Sequence, residues 1–538
     1  MKNPEASARI SNALPSARDV LAGFLVSLVA LPLCIGISVA SGFPPVAGLI
    51  TAIVGSLVVS FFGATALAIK GPAAGLIAVA WGAVMELGAG HATDGYRYAL
   101  ACVMVSGAFQ IVLGIAKAGN WADFVPPSVV RGMLVSIGLI VMLRQIFPML
   151  GVFPNVSGFW QLLFDLPKAF LNMHPIAGVI GLITLGFLFF SSRFKSRLFL
   201  FLPPPLLALT GAGIAAGMAH LDNPGEGSFL ELSYTTGPQF FVDVPSQFRQ
   251  ALVFPDFSKV FEPVSLKFIL LFSLIGSLET LVSARAVDSL DPRHRTSRLN
   301  RELLGVGTGN MLAGALGGLP MISEIVRSSV NISSGARTWW SNVFHGIFLL
   351  AYLTLLSPFI RKIPLSALGA LLVYAGFHLA HPQKIRQSLE IGPEQVLVLG
   401  ATVLLTLSVD LLAGLAGGVT AKLIFLLARG LQLRHIFKPR VLLKILDDHT
   451  HKVEICSALV FSNFLSFKKM LLQLPGQKSL VLDFHACTLI DHSTLKNLWD
   501  FKSRYEENGG RCVFLNLEEM TSHCSHPLSM KFKKKYSS

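Results

Sequence analysis

The sequence contains little charge. Of its 538 residues, 14% are Asp, Glu, Lys or Arg, whereas 52% are hydrophobic. A soluble domain carries about 25% charged residues, so this composition excludes an ordinary soluble protein. Apolar stretches of about 20 residues, long enough to cross a bilayer, recur from residue 20 to residue 430. The chain is therefore predicted to be a polytopic membrane protein with the lipid bilayer as a partner.

Cysteine is scarce, and motifs of enzymatic chemistry are missing. The six cysteines show neither metal-ligand nor disulfide spacing, so we interpret all of them as packing residues. The sequence has no phosphate-binding loop and no nucleophile motif. Asp491, His492 and Ser493 are consecutive and therefore do not make a catalytic triad. We predict that the chain is not an enzyme and uses no cofactor.

Positive charge exceeds negative charge by 14, but its distribution argues against a nucleic-acid partner. Much of it lies in short loops between apolar stretches, where it sets orientation in the membrane. We predict 14 spans, at 20–40, 45–62, 72–88, 97–116, 128–147, 175–191, 198–219, 265–284, 302–316, 322–335, 340–358, 364–379, 393–410 and 411–430.

The loops after spans 6, 8 and 14 are basic and fall on the side of the two termini, whereas the loop 220–262 falls opposite and is acidic. The positive-inside rule then places both termini in the cytoplasm, with the spans in the inner membrane. Residues 1–19 show no cleavable signal and are predicted to be a cytoplasmic segment.

Two stretches indicate an internal repeat. FVPPSVVRGMLVSIGL, from residue 124, aligns with KIPLSALGALLVYAGF, from residue 362, at a shift of 238 residues. One copy leads into span 5 and the other into span 12, so the second copy is inverted in the membrane. Inverted repeats are typical of secondary transporters.

The same shift pairs span 3, which begins at KGPAAG (70–75), with span 10, which begins at GGLPMISEIVRSS (317–329). Two short helices interrupted by Gly and Pro predict a transport site at the midplane of the membrane. The partial positive charges of two helix N-termini suit an anion. Lys70 either adds a full charge to this site or ends a loop and reaches to the membrane interface.

Four stretches carry a resemblance to a known family. They are DVLAGFLVSLVALPLCIGISVASGFPPVAGLITAIVG (19–55), GPAAGL (71–76), GNMLAGALGGLP with VRSSVNISSGARTWWSN (309–320 and 326–342), and LDFHACTLIDHSTLKNL (482–498). From about residue 15 to residue 520, the chain resembles the sulfate permease (SulP) family, bacterial relatives of the solute carrier 26 anion transporters.

The resemblance implies an all-α polytopic domain of 14 spans in two inverted halves, with a core subdomain that carries substrate by an elevator motion and a gate subdomain that supports a homodimer. The implied parts are a cytoplasmic segment (1–19), a transmembrane anion transport domain (20–430), a small α/β STAS domain (431–528) and a basic tail (529–538). The STAS domain implies a cytoplasmic regulator, and the tail is interpreted as a solvated end or a weak contact with anionic lipid.

The resemblance also implies the substrate-binding residues. They are Lys70, Gly71, Ala73 and Ala74 at span 3, Ser323, Glu324 and Ile325 at span 10, and Leu33 and Cys34 in span 1. Pro32 is predicted to break span 1. The family usually has Ser-Gly-Pro-Thr where this chain has Lys-Gly-Pro-Ala, so two hydroxyls are lost and one cation is gained. Glu324 is predicted to be protonated, or paired with Lys70, or paired with Arg327 in an i,i+3 contact that supports span 10.

Glu279 lies inside span 8, and Ser283, four residues later, lies on the same face. An acid at this place in sodium-coupled bicarbonate members of the family implies a sodium site at Glu279 and Ser283. The alternatives are a proton shared between Glu279 and Glu324, because two carboxylates in a low dielectric do not both ionise cheaply, or a pair between Glu279 and Arg285.

In the STAS-like run, Ser493 aligns with a serine that is phosphorylated in anti-sigma-factor antagonists. It is a candidate phosphosite, although Asp491, His492 and Ser493 are equally suited to begin a helix.

The sequence thus predicts a secondary active transporter of small inorganic anions of the sulfate or bicarbonate class, coupled to protons or sodium. The alternatives are a dicarboxylate or chloride transporter or exchanger of the same family, or a nucleobase:proton symporter on the same fold, since such symporters have paired glutamates in spans 8 and 10.

Overall fold

The computed structural model describes residues 14–533 with short gaps. The gaps are residues 63, 120–124, 154–157, 192, 194–202, 230–231, 243–251, 294, 356, 410, 448–449, 475–478, 508, 523 and 525. Most of the predicted N-terminal segment and the end of the predicted basic tail, up to residue 13 and beyond residue 533, lie outside the described residues.

The chain divides into two compact units. The larger unit holds Pro4–Gly119 and Ile137–Leu379, and the smaller unit holds Met1–Asn3, Asn120–Ser136 and Ala380–Ser538. The predicted domain boundary between residues 430 and 431 stays a prediction.

Helices make up most of the larger unit. They are α1 (Ala17–Ala40), α2 (Ala47–Leu57), α3 (Ile77–Leu87), α4 (Ala92–Ile115), α5 (Pro127–Met149), which begins in the smaller unit, α6 (Phe159–Leu171), α7 (Pro175–Ser191), α8 (Pro204–Met218), α9 (Pro263–Leu290), α10 (Leu299–Leu316), α11 (Ile325–Ser333), α12 (Trp340–Leu355), α13 (Ser357–Ile360) and α14 (Leu365–Leu379). The strands of this unit are β1 (Ile69–Pro72), β2 (Gly225–Phe229), β3 (Leu232–Thr236) and β4 (Met321–Glu324).

The smaller unit combines apolar helices with an α/β part. Its helices are α15 (Pro382–Ile391), α16 (Pro393–Ser408), α17 (Leu411–Ala428), α18 (Phe461–Gln473) and α19 (His492–Glu507). Its strands are β5 (Val441–Asp447), β6 (Thr450–Ile455), β7 (Ser479–Asp483), β8 (Leu489–Ile490), β9 (Arg511–Leu515), β10 (Thr521–Ser522) and β11 (Lys531–Phe532).

Each of the 14 predicted spans coincides with one of these helices, because each apolar run is long enough to form a helix with buried side chains. By length and hydropathy, four of the described helices could cross a membrane, or five if the bent pair α6 and α7 is one span. Seven further apolar helices are shorter. The structure is mostly helical, and the count of 14 membrane crossings stays a prediction.

The start of α1 is fixed by two sets of hydrogen bonds. Ser16 and Asp19 form a reciprocal cap, in which the Asp19 carboxylate accepts from the Ser16 amide at 3.1 Å. The same carboxylate accepts from the amides of Arg337 and Thr338 at 2.8 and 2.9 Å. A buried aspartate therefore joins α1 to the segment that precedes α12.

The prediction that Pro32 breaks span 1 was wrong, because α1 is continuous through this residue. Proline removes one backbone hydrogen bond from a helix interior. The flanking Leu31 and Cys34 are buried, and packing on both sides of the proline outweighs the loss of one bond.

The α/β part of the smaller unit is built on a four-stranded sheet of order β5-β6-β7-β9. β5 and β6 are antiparallel, whereas β6, β7 and β9 are parallel. Alternate residues of β6 and β7, such as Val453 and Leu480, are buried against α18 and α19 in one apolar core. The strand and helix alternation predicted from the sequence is present.

A second core in the smaller unit includes residues from both sides of position 431. Leu426 and Leu431 pack with Val460, Phe461 and Leu489. The Lys422 ammonium of α17 lies 4.0 Å from the Asp491 carboxylate, and neither side chain is exposed. The last apolar helix and the α/β part are thus packed together.

Candidate functional site

Two buried strands, far apart in sequence, form an antiparallel ribbon. Lys70 of β1 lies opposite Ser323 of β4, and Gly71 lies opposite Ile322. A further hydrogen bond of 2.9 Å runs from the Ala73 amide to the Pro320 carbonyl. β1 leads into α3 and β4 leads into α11, so the ribbon joins the two interrupted helix starts that the sequence paired.

Side chains of the ribbon alternate between its two faces. Gly71 and Glu324 lie on one face, where a Cβ added to Gly71 would overlap the Arg327 guanidinium and lie 3.1 Å from Glu324 Oε1. Lys70 and Ser323 lie on the other face. Glycine at position 71 therefore lets a buried cation approach the backbone of β1.

Arg327 is the buried cation on the first face, with no exposed surface. Its Nε lies 3.0 Å from Glu324 Oε2, which is the i,i+3 pair that the spacing predicted. The N–H of Nε is not directed at this oxygen well enough for a hydrogen bond, and apart from the neighbouring Cys34 thiol no described residue accepts a hydrogen bond from the guanidinium. The Cys34 thiol lies next to the guanidinium. A buried guanidinium with free donors is a ready partner for an anion.

Glu279 of α9 reaches the start of α3. A Cβ at Gly75 would overlap its carboxylate, so the carboxylate lies against the backbone of the turn Ala74–Leu76. Both of its oxygens are buried and lack a hydrogen-bond partner among the described residues. Glu279 and Glu324 interact electrostatically, and Ser283, one turn from Glu279, is buried. This carboxylate is available to a proton or to a cation with oxygen ligands.

Lys70 occupies the second face of the ribbon and is 3% exposed. Its ammonium lies 3.2 Å from Glu302 Oε1 and donates to Thr65 Oγ1 and to the Ala68 carbonyl. The suggested pair between Lys70 and Glu324 is therefore wrong, since each has another partner. Interfacial exposure of Lys70 is also wrong, because its ammonium is held inside the protein.

The other predicted residues lie around the two helix starts. Ala73 is buried, Ala74 begins the turn before α3, and Ile325 is the first residue of α11. Leu33 of α1 is half-buried beside the fully buried Cys34.

Sequence reasoning missed Glu302 and His345. Glu302 accepts from the Ser323 hydroxyl as well as from Lys70. His345 is fully buried, with Nδ1 2.8 Å from Ser56 Oγ, and interacts electrostatically with Arg327. An acid in the first turn of a predicted apolar span was the signal available for Glu302.

An apolar cavity of about 310 Å³ lies in the larger unit. Gly36 of α1, Trp81 of α3 and Arg144 of α5 line it. The Arg144 guanidinium lies over the Trp81 ring, 5.4 Å from the ring centroid. The cavity therefore adjoins α1 and α3 within a few residues of Cys34 and Gly75.

Ser493 lies in the first turn of α19 and is 3% exposed. Asp491 precedes this helix and accepts from the Thr494 amide at 3.1 Å, which is the capping arrangement expected of the Asp-His-Ser run. The role of Ser493 as a phosphosite stays a prediction. Among the described residues, no three His, Cys, Asp or Glu side chains are grouped so as to hold a metal ion.

Comparison with known proteins shows which transporters the chain is similar to. A bicarbonate transporter, BicA of Picosynechococcus, is 29% identical over 405 residues, which cover 74% of this chain and 68% of BicA. The solved transmembrane domain of a cyanobacterial BicA superposes with a TM-score of 0.64 at 26% identity, over 75% of this chain and 99% of that domain.

A third likeness concerns the fold alone. The murine anion transporter Slc26a9, solved in the inward-facing state, superposes with a TM-score of 0.66 at 16% identity, over 95% of this chain and 88% of that one. The relatives are transporters, not enzymes. The sequence pattern of the sulfate permease family matches residues 17–402, and the chain belongs to this family of membrane transporters.

Proposed function

We propose that the protein is a secondary active transporter of small inorganic anions of the sulfate or bicarbonate class, and that the anion binds between the starts of α3 and α11. The observation that carries this proposal is the buried Arg327 guanidinium, whose donors have no hydrogen-bond partner among the described residues other than the Cys34 thiol. The family and the bicarbonate transporters among the relatives support the substrate class.

Two backbone features add to the attraction of Arg327. Each helix start contributes unpaired amide groups and about half a positive charge. Gly71 and Gly75 have no side chain between the backbone and Arg327 or Glu279. A small oxyanion can therefore contact amide groups and the guanidinium together, as anions do at helix N-termini.

The charges at the site favour co-transport of a cation. Glu279, Glu302 and Glu324 contribute −3 when ionised, and Lys70 and Arg327 contribute +2, so the sum is −1. An entering anion makes the buried charge more negative, and burial of unbalanced charge is costly. Glu279 is the acid without a cationic partner among these five residues, so we assign to it the binding of the proton or sodium ion, with Ser283 as a further ligand for sodium.

The larger architecture is proposed on the same basis. We infer 14 spans in two inverted halves from the helix found in each predicted span and from the ribbon between spans 3 and 10. We also propose an elevator motion, a homodimer, an inner-membrane location with cytoplasmic termini, and a regulatory STAS domain at 431–528; membership of the family supports these proposals.

The test is binding and uptake by the purified protein in proteoliposomes, with sulfate, bicarbonate, chloride, a dicarboxylate and uracil offered separately. Arg327→Gln should abolish anion binding while the protein remains folded and monodisperse. Arg386→Gln is the matched control, because that arginine is exposed beside Glu390, and it should behave as wild type. Uptake of uracil, or of none of the anions, would overturn the proposal.

Coupling is tested in the same vesicles with proton and sodium gradients imposed one at a time. Glu279→Gln should keep exchange of one anion for another and lose accumulation driven by the gradient. If Ser283→Ala loses the uptake that a sodium gradient drives, sodium is the coupling ion. If a proton gradient drives uptake in the absence of sodium, the proton is the coupling ion. Accumulation by Glu279→Gln equal to that of wild type would remove Glu279 from the coupling step.

A further inference from the structure

We propose that Lys70 and Glu302 form an internal charge pair that sets the preference of the site between monovalent and divalent anions. Neither residue touches the anion. This inference rests on the proposed function, since it concerns the selectivity of the same site. It assigns to both residues a role in specificity through their electric field.

The pair is built into the protein interior. The Lys70 ammonium and Glu302 Oε1 are 3.2 Å apart, with side-chain exposures of 3% and 0%. The ammonium has two further acceptors, Thr65 Oγ1 and the Ala68 carbonyl, and Glu302 accepts from the Ser323 hydroxyl. Both side chains are therefore held in place by hydrogen bonds to neighbouring groups as well as by each other.

The pair lies behind the ribbon that carries the anion site. Lys70 and Ser323 are cross-strand neighbours on the face toward Glu302, whereas Gly71 and Glu324 share the face toward Arg327. One strand thickness therefore separates the two ion pairs. Low-dielectric protein lies between them, so that little screening by water or salt is expected.

The ribbon does not depend on this pair for its attachment to α10. Asn310 of the same helix accepts from the Met321 amide at 2.6 Å and donates to the Met321 carbonyl at 3.2 Å. Removing the charge from Lys70 or Glu302 therefore leaves β4 attached. The effects of charge and of folding are thus separable in experiment.

Removing the charge of Glu302 and removing the charge of Lys70 should change anion affinity in opposite directions. At roughly 10 Å and an effective dielectric of about 20, one unit charge changes the affinity for a monovalent anion by roughly tenfold, and for a divalent anion by about the square of that factor. Glu302→Gln leaves the lysine charge unbalanced and should tighten binding, more for sulfate than for bicarbonate. Lys70→Met leaves the glutamate charge unbalanced and should weaken binding, again more for sulfate.

A purely structural role predicts a different result, because damage to the fold lowers affinity in both single variants. The double variant Lys70→Met with Glu302→Gln is electrically balanced and should restore the wild-type ratio of sulfate to bicarbonate affinity. It also serves as the safeguard against misfolding, since it buries no unpaired charge.

The experiment measures equilibrium binding of sulfate and of bicarbonate to the purified full-length protein between pH 6 and pH 9. Controls are Lys267→Met and Glu86→Gln, because that ion pair has the same 3.2 Å separation but is 43% and 48% exposed; both should leave the ratio unchanged. Opposite shifts in the two buried variants and recovery in the double variant support the inference. Shifts of the same sign, or an unchanged ratio at every pH, overturn it. Failure of the wild type to bind either anion would refute the proposed function itself.

Discussion

His492 shows how burial controls the charge of one residue in the smaller unit. Its side chain is 2% exposed, and Nδ1 hydrogen-bonds with the Leu528 carbonyl at 2.8 Å. Burial lowers the pKa of His492 from 6.5 to about 4, although the carbonyl and the nearby Asp491 oppose this shift. The imidazole is therefore neutral in the folded protein at physiological pH.

We predict that acid destabilises this part of the protein through His492. Between pH 4 and pH 6.5 the unfolded chain binds the proton that the folded chain excludes, so the free energy of unfolding falls as pH falls. Above about pH 6.5 the neutral histidine costs no stability. As the pH falls from there to about 4, the free energy of unfolding decreases by about 3 kcal/mol. Hydrogen exchange of β6 and β7 peptides in the full-length protein, corrected for intrinsic pH effects, measures it.

His492→Asn keeps a donor for the Leu528 carbonyl and removes the titration, so the pH dependence should flatten. His485→Asn is the matched control, because that histidine lies in the same part of the chain and is exposed. An acid response that persists unchanged in His492→Asn would contradict the prediction.

Sequence reasoning succeeded for residues whose partners lie within one helical turn. The pair of Glu324 and Arg327 was predicted from its i,i+3 spacing, as was the capping role of Asp491. The partner of Lys70 was not predicted, because Glu302 lies 232 residues further along the chain. Spacing rules describe local neighbours, and only the register of the ribbon brings these two residues together.

The start of α3 is the element on which the site depends. The Glu279 carboxylate occupies the space where a Cβ of residue 75 would lie. Gly75→Ala should displace this carboxylate, cost about 1–3 kcal/mol of stability through overpacking, and lower gradient-driven transport at least about tenfold. Thermal unfolding and transport in proteoliposomes measure the two effects.

Gly82→Ala, in the helix α3 that follows this turn, is the matched control. Its Cβ would lie 3.4 Å from Phe268 Cε1, an ordinary contact, and alanine favours the helix by up to about 1 kcal/mol. This variant should be as stable as wild type or more so, with normal transport. Normal gradient-driven transport in Gly75→Ala would show that the position of the Glu279 carboxylate does not matter.

At the scale of elements, long apolar runs were sufficient to locate the helices. The strands β1 and β4 were predicted as Gly- and Pro-rich interruptions but not as a ribbon, since the hydrogen bonds of a ribbon depend on a distant partner. α6 and α15 were not predicted, because neither has the continuous apolar sequence of a span. The predicted break at Pro32 was wrong, because packing of the neighbouring residues keeps the helix continuous.

For the smaller unit as a whole, we predict strong coupling between α17 and the α/β part. Lys422→Met leaves the buried Asp491 without its cation and should cost about 3–5 kcal/mol, as for other broken buried pairs. The reason is that an uncompensated charge remains in an apolar core. The thermal midpoint of the full-length protein, with protease protection of the α/β part, measures the loss.

Two variants make this prediction specific. Lys422→Met combined with Asp491→Asn removes both charges and should recover most of the lost stability. Arg386→Met breaks an ion pair of the same unit in which both side chains are exposed, and it should cost less than about 1 kcal/mol. A loss that is equal in the single and double variants would mean that shape, rather than charge, dominates at this contact.

The ribbon of β1 and β4 also has a consequence for the order of events during synthesis. Glu302 is made 232 residues after Lys70, which at about 5–20 residues per second is a delay of roughly ten to fifty seconds. During that interval Lys70 lacks its acidic partner and β1 lacks the strand with which it pairs, and lipid supplies neither. The site therefore forms late, and β1 has to stay in contact with water or with another protein until α10 and β4 have been made.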